Sequence, residues 1–84
     1  MYIQSLQPTT INTTSYLNIV AEKMEKLTIK VVNVQGMIAK KLTTQVTQGI
    51  QELDINLSDL ANGNYILNAF NQDGFLKSFR FKKL

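Results

Sequence analysis

The sequence predicts an all-β fold, an immunoglobulin-like antiparallel β-sandwich of about seven strands with no disulfide. Three observations lead there. Val, Ile, Thr, Tyr and Phe recur, and most apolar stretches alternate with polar residues at the period of a half-buried strand. Turn signals punctuate the chain at spacings of roughly 8–12 residues. The stretch from Leu60 through Gly63 to Tyr65 has the layout of a tyrosine corner, in which a phenol opening a strand bonds back to backbone just upstream. Two sheets would share one core of Leu, Ile, Val and Phe.

Taken in order, Tyr2 to Gln7 reads as a weak strand. Pro8 to Ser15 is polar, contains the only proline, and reads as a linker or edge crossing. The chain is thus read as one domain, with an extended N-terminal segment over 1–15 and the main sandwich over 16–84. In "YLNIVAE", Leu17 and Ile19 are split by Asn18. In "KLTIKVVNV", Leu27, Ile29 and Val31 alternate with Thr28 and Lys30, and the doubling at Val31–Val32 reads as a bulge or a twist. Between them, "VAEKMEK" spaces Val20, Met24 and Leu27 as a helical turn would, an alternative to continuous strand. Gln35–Gly36 marks a hairpin turn, because glycine takes positive φ without steric cost. "MIAKKLTTQV" is a less regular strand, followed by a turn at Gln48–Gly49. "IQELDINL" is the cleanest strand, with Leu53, Ile55 and Leu57 on one face and Glu52, Asp54 and Asn56 on the other. After Asn62–Gly63, Tyr65, Leu67 and Ala69 share a face. Asp73–Gly74 closes a hairpin into "FLKSFRFKK", where Phe75, Phe79 and Phe81 are expected on one face, interrupted by Lys77.

Composition excludes most chemistry. The chain has 84 residues, no cysteine and no histidine. A domain of this size buries only roughly 60–65% of its unfolded surface, so its core must be thin and efficient. Without cysteine there is no disulfide staple and no thiolate. Without histidine there is no neutral-pH proton shuttle and not the commonest metal ligand. The net charge of +3 is too mild for the dense basic, aromatic-interleaved patch of a nucleic-acid binder. No run approaches the ~18–20 apolar residues of a membrane span. Met1 to Pro8 lacks the basic and apolar regions of a secretory signal peptide, so an export signal for this domain would sit elsewhere on a longer protein.

The polar groups give no catalytic constellation. The acids are Glu22, Glu25, Glu52, Asp54, Asp59 and Asp73. Glu52 and Asp54 share a strand face, and an exposed pair there reads as solvated surface, not as an acid–base couple. No serine has a histidine partner. Asp73–Gly74 lacks the length and ligand pattern of a calcium loop. Gly36, Gly49, Gly63 and Gly74 stand singly at turns and make no phosphate cradle. No enzyme activity, cofactor or metal is expected. Lys77, Arg80, Lys82 and Lys83 concentrate four of the nine cations in the last strand. They are open to two readings: charge that protects an edge strand from pairing with other chains, or an electrostatic handle for a receptor.

The ordered set of motifs resembles the C-terminal sorting domains of type IX (Por) secretion. "L-x-x-G-x-Y" at Leu60–Tyr65, a strand, Asp73–Gly74, a second strand and the finish "SFRFKK" follow that family's ending. Upstream, "LTIKVVNVQGMIAKK" resembles its strand–turn–strand segment, with Asn33 and Gly36 at the marked positions and Ala39 where the family has Val or Ile. "QPTT" at 7–10 stands where the family usually has an Asn-Pro box. The likeness spans roughly residues 6–83. It implies a non-enzymatic module fused behind a cargo domain and addressed to the outer-membrane type IX machinery of Bacteroidetes-type bacteria. It also implies removal by a sortase-like protease, passage through the periplasm, and an end at the cell surface or outside. Under it, Lys77, Arg80, Lys82 and Lys83 are the recognition residues, and Gly36, Gly63, Tyr65, Asp73 and Gly74 hold the shape. A monomer with no nucleic-acid partner is expected. The alternative is an adhesion or carbohydrate-binding module of a secreted protein. Such modules present exposed aromatics, whereas Trp is absent here and Tyr2 and Tyr16 are the only spare tyrosines.

Overall fold

Period-two burial builds two layers. In the computed structural model, which describes residues 1–84, every regular element is a strand. They are β1 (Tyr2–Gln7), β2 (Thr10–Ile11), β3 (Thr14–Ala21), β4 (Glu25–Asn33), β5 (Ile38–Val46), β6 (Gly49–Asn56), β7 (Gly63–Asn71) and β8 (Gly74–Lys83). A three-stranded sheet has the order β1-β3-β6, and a five-stranded sheet the order β2-β8-β7-β4-β5. Leu17 and Ile19 of β3, Leu27, Ile29 and Val31 of β4, and Leu67 and Ala69 of β7 are wholly buried between the sheets. They belong to a core of 17 buried apolar residues, onto which Leu42, Leu53, Leu76 and Phe79 pack from its margins. This is the all-β sandwich expected, consistent with an immunoglobulin-like arrangement, and the eighth strand is the two-residue β2.

Residues 8–15, expected as a linker or edge crossing, do cross between the layers. The chain leaves β1 in one sheet, makes β2 in the other and returns as β3. The crossing is part of the core. Ile11 is wholly buried, and Ser15, equally buried, donates from Oγ to the Pro8 carbonyl at 2.7 Å. β2 runs parallel to β8, pairing Thr10 with Lys82 and Ile11 with Lys83.

Two irregularities depart from simple alternation. The doubled Val31–Val32 does mark a bulge, but the extra residue is Ala39 on the partner strand. Val31 pairs with Lys40 and Val32 with Ile38. The second falls where Phe75 was expected to share a face with Phe79 and Phe81. Ala69 pairs with Lys77 and Phe70 with Phe75, leaving Leu76 as the extra residue. The bulge turns Leu76 onto the core and sends Phe75 to the outer surface, edge-on to Phe70 at 5.8 Å between ring centroids. The helical alternative at "VAEKMEK" is not adopted. β3 ends at Ala21, β4 starts at Glu25, and Met24 is exposed.

The best-patterned strand supplies the stability test. Ile55 of β6 is 2% exposed, whereas Ile50 of the same strand is 83% exposed. Ile55→Ala should cost about 2–5 kcal/mol, the range for truncating a large buried aliphatic side chain. Ile50→Ala should stay within about 0.5 kcal/mol. Denaturant titration of both variants checks the assignment of faces, and equal shifts would overturn it.

Candidate functional site

The turn residues hold the sandwich ends through local hydrogen bonds. Asn33 closes the β4–β5 turn. Its Oδ1 accepts from the Gln35 and Met37 amides at 3.0 Å each, and Gly36 takes the positive φ of 81° that the turn needs. Asn71 does the same for the β7–β8 hairpin, accepting the Asp73 amide at 2.9 Å, and Gly74 adopts φ 122°. These side chains give the backbone a turn partner where the ladder ends. A side chain at Gly36 or Gly74 would meet no neighbour but would be strained by its backbone angle.

Tyr65 is the tyrosine corner the sequence implies. Its hydroxyl donates to the Ala61 carbonyl at 2.6 Å. Its ring lies 5.4 Å from that of Phe81, nearly parallel at 18°, and passes 3.9 Å from the position a side chain at Gly63 would take. Loop, β7 and β8 are thereby tied at one point.

The four terminal cations do not form one cluster. Arg80 and Lys82 project from the outer face of the five-stranded sheet and are exposed. Lys77 is exposed but lies on the other side of β8, its Nζ 5.5 Å from the Phe79 ring centroid. Lys83, expected at the surface, is only 7% exposed. β2 pairs beside it, its side chain falls on the core-facing side, and its Nζ donates to the Leu84 carbonyl at 3.0 Å. Since β2 meets only Lys82 and Lys83, the earlier part of β8 is a free sheet edge. The Leu76 bulge and the Lys77 charge both lie on it, two devices that discourage strand addition.

The structure brings together residues that are far apart in sequence. Across the outer face, Ile38, Val32, Ile66 and Arg80 stand in one row of paired strands, Lys41, Lys30, Asn68 and Ser78 in the next. Lys30 Nζ sits 5.1 Å above the centre of the Phe70 ring. Lys26, Lys30, Lys41, Arg80 and Lys82 all emerge on this face, and no acid does. Glu52 and Asp54 emerge on the opposite face of the sandwich, opposite Asn18 and Tyr16. Charge is segregated between the two faces. At one end of the cationic face is an open groove of about 690 Å³, lined by Val32, Val34, Ile66, Arg80 and Lys82 among others. Single-strand patterns did not reveal it, because its residues become neighbours only through sheet register.

One ion pair stands apart. Asp59, in the loop after β6, accepts from Lys40 Nζ with both carboxylate oxygens, at 3.0 and 2.9 Å. The hydrogen bond from Lys40 is the main cause holding its carboxyl below the ordinary aspartate value. Desolvation opposes it and is the next largest effect, while backbone hydrogen bonding and the charges of Lys40 and Lys83 add smaller lowering contributions. Glu25, buried at the start of β4, accepts from Asn71 Nδ2 at 3.1 Å. Every buried side-chain polar atom has a partner, and no three acidic side chains converge. These polar groups are structural in their bonding.

The chain is thus a β-sandwich whose turns are closed by side-chain hydrogen bonds and whose five-stranded sheet carries cations without acids on its outer face. The model of the secretion system C-terminal sorting domain matches residues 11–80, most of the chain, and the protein belongs to that family. It is therefore a type IX sorting signal, of a class that is not an enzyme family and that interacts with the type IX machinery. Such signals mark proteins exported to the cell surface or the extracellular space. A search of curated proteins found no match.

Two side chains test the local structure. Tyr65→Phe deletes the hydrogen bond to Ala61 and should cost about 1 kcal/mol, since the exposed carbonyl can turn to water. Chemical denaturation reads this, and no loss would mean that the corner is held by ring packing alone. The Asp59–Lys40 pair acts on the acid side. Because the folded-state pKa of Asp59 is depressed, its stabilisation is present above the unfolded-state value and is lost as pH falls through the folded value. The pair is exposed, so the effect is small and screened by salt. Lys40→Ala should raise the Asp59 pKa in an NMR titration. An unchanged titration would show that Lys40 does not hold the carboxylate.

Proposed function

We propose that this domain is the sorting signal of a larger exported protein. In this reading it follows a cargo domain, passes through the periplasm as a folded monomer, is recognised at the outer membrane, and is cut off by a sortase-like protease. Arg80 and Lys82 are its recognition residues. The observation that carries the reading is family membership over residues 11–80. The side-chain arrangement supports the choice of residues: both cations are exposed on one acid-free face, on the strand held by the Tyr65–Phe81 stack. Lys83 belongs to the fold and Lys77 to the free edge, so neither is assigned to recognition. Gly36, Gly63, Tyr65, Asp73 and Gly74 act indirectly, by keeping the presented surface in one shape.

The test is export of a reporter. A periplasmic reporter carrying this domain at its C-terminus, in a host with type IX machinery, should appear outside the cell. Arg80→Ala with Lys82→Ala should leave it in the periplasm. Each substitution is at an exposed position and should change stability by no more than about 0.5 kcal/mol, which circular dichroism and thermal melting verify. Export of the folded double variant at the parent level would assign the cations to surface protection and remove them from recognition. Failure of the intact domain to export the reporter would overturn the sorting reading.

A further inference from the structure

We propose that the groove on the outer face of the five-stranded sheet binds an extended, acidic polypeptide segment bearing aliphatic side chains. The inference rests on the reading that Arg80 and Lys82 contact a partner, and it names that partner's chemistry. Val32 and Ile66 are direct cross-strand neighbours, and Ile66 pairs in turn with Arg80. An apolar floor therefore abuts a guanidinium. Lys82 adds a second cation, Val34 an apolar wall, and no acid lines the groove. An arginine fork matches a carboxylate with two parallel hydrogen bonds, while lysine supplies a point charge. Aliphatic side chains alternating with carboxylates satisfy both parts of this surface.

The dimensions favour a single extended chain. The groove runs across the strands, from the β4–β5 turn at Val34 and Gly36 to Thr9, which leads into β2. Three strand spacings of about 4.8 Å span that width, room for about four extended residues at ~3.3 Å each, so a hexapeptide crosses it fully. Its walls are already ordered: Asn33 fixes the turn through two amide hydrogen bonds, and the stacked Tyr65 and Phe81 contribute to the lining between the turn and Thr9. Binding to a preformed site avoids most of the ordering cost. A second copy of the domain offers Glu52 and Asp54 on a pleated sheet face and Glu22, Asp59 and Asp73 singly at turns, in no case as carboxylates alternating with exposed aliphatic side chains along a free extended segment. A lipid surface would engage the whole spread of cations and leave the apolar floor unused.

The probe is a fluorescein-labelled hexapeptide alternating leucine and glutamate, titrated with the intact domain and followed by anisotropy and NMR. Saturable binding is expected, with the largest shifts at Val32, Ile66, Arg80 and Lys82. Raising salt to about 0.15 M should weaken it. Arg80→Ala with Lys82→Ala should weaken it by about tenfold or more, and the charge-neutral Ile66→Gln should weaken it several-fold while the domain stays folded. A leucine–lysine hexapeptide should not bind. The proposal is overturned if shifts spread equally over Lys26, Lys30 and Lys41, or if Ile66→Gln binds like the parent. It is also overturned if only phosphatidylglycerol vesicles bind, or if sedimentation shows self-association through this face. Export of the reporter is read separately. Export without peptide binding removes this inference and leaves the sorting role standing, whereas binding without export does the reverse.

Discussion

The hydrogen bond from the Tyr65 hydroxyl to the Ala61 carbonyl, at 2.6 Å, is the constraint on which the cationic face depends. It fixes where the chain leaves the loop after β6 and enters the five-stranded sheet, and so sets which residues of β7 face inward. Given that register, Leu67 and Ala69 go to the core, and Asn64 and Ile66 go outward. The same ring stacks on Phe81, which sets the last turn of alternation in β8 and puts Arg80 and Lys82 outside. A one-residue slip of either strand would exchange these faces. The aromatic pair also brings stacking energy of about 0.5–1.5 kcal/mol beyond its burial, a sizeable share for a domain this small.

Much of the fold was legible because its cause is local. Alternation in "LDINL" predicts the buried Ile55 and Leu57, and Leu–Gly–Tyr spacing predicts the corner. The hairpin glycines announce their turns through backbone angles that other residues avoid. What the sequence concealed is what register creates. "FLKSFRFKK" looks like one alternating strand broken by a lysine, yet Leu76 and Phe79 both pack on the core only because a bulge separates them. The change of parity between Leu76 and Phe79, both large and apolar, was the available signal. Lys83 obeys the same parity as Phe79 and Phe81, which is why it turns inward. Charge density along the chain favoured grouping it with Arg80 and Lys82, while the pleat divides them.

The same division separates two readings that a run of cations leaves entangled. Lys77 and the Leu76 bulge guard the open flank of β8, where backbone groups would otherwise template another strand. Arg80 and Lys82 face away from that flank, over the sheet surface. The geometry thus places the edge cation and the face cations of one strand on different sides of the sheet. The opposite placement of Glu52 and Asp54 keeps the cationic face free of internal neutralisation, so its field is directed to whatever approaches it.

The parallel pairing of β2 with β8 has a consequence for timing. Thr10 and Ile11 meet Lys82 and Lys83, the most distant partners along this chain. Hairpins such as β7–β8 close short loops, whereas this contact closes nearly the whole polypeptide and carries the largest entropic delay. Thr9 lines the groove beside Phe81 and Lys82, so the recess acquires that wall only when the first and last strands have met. Until then the cations sit on an incomplete sheet end. The recess is therefore a property of the completed topology, absent from any arrangement in which the first and last strands are unpaired.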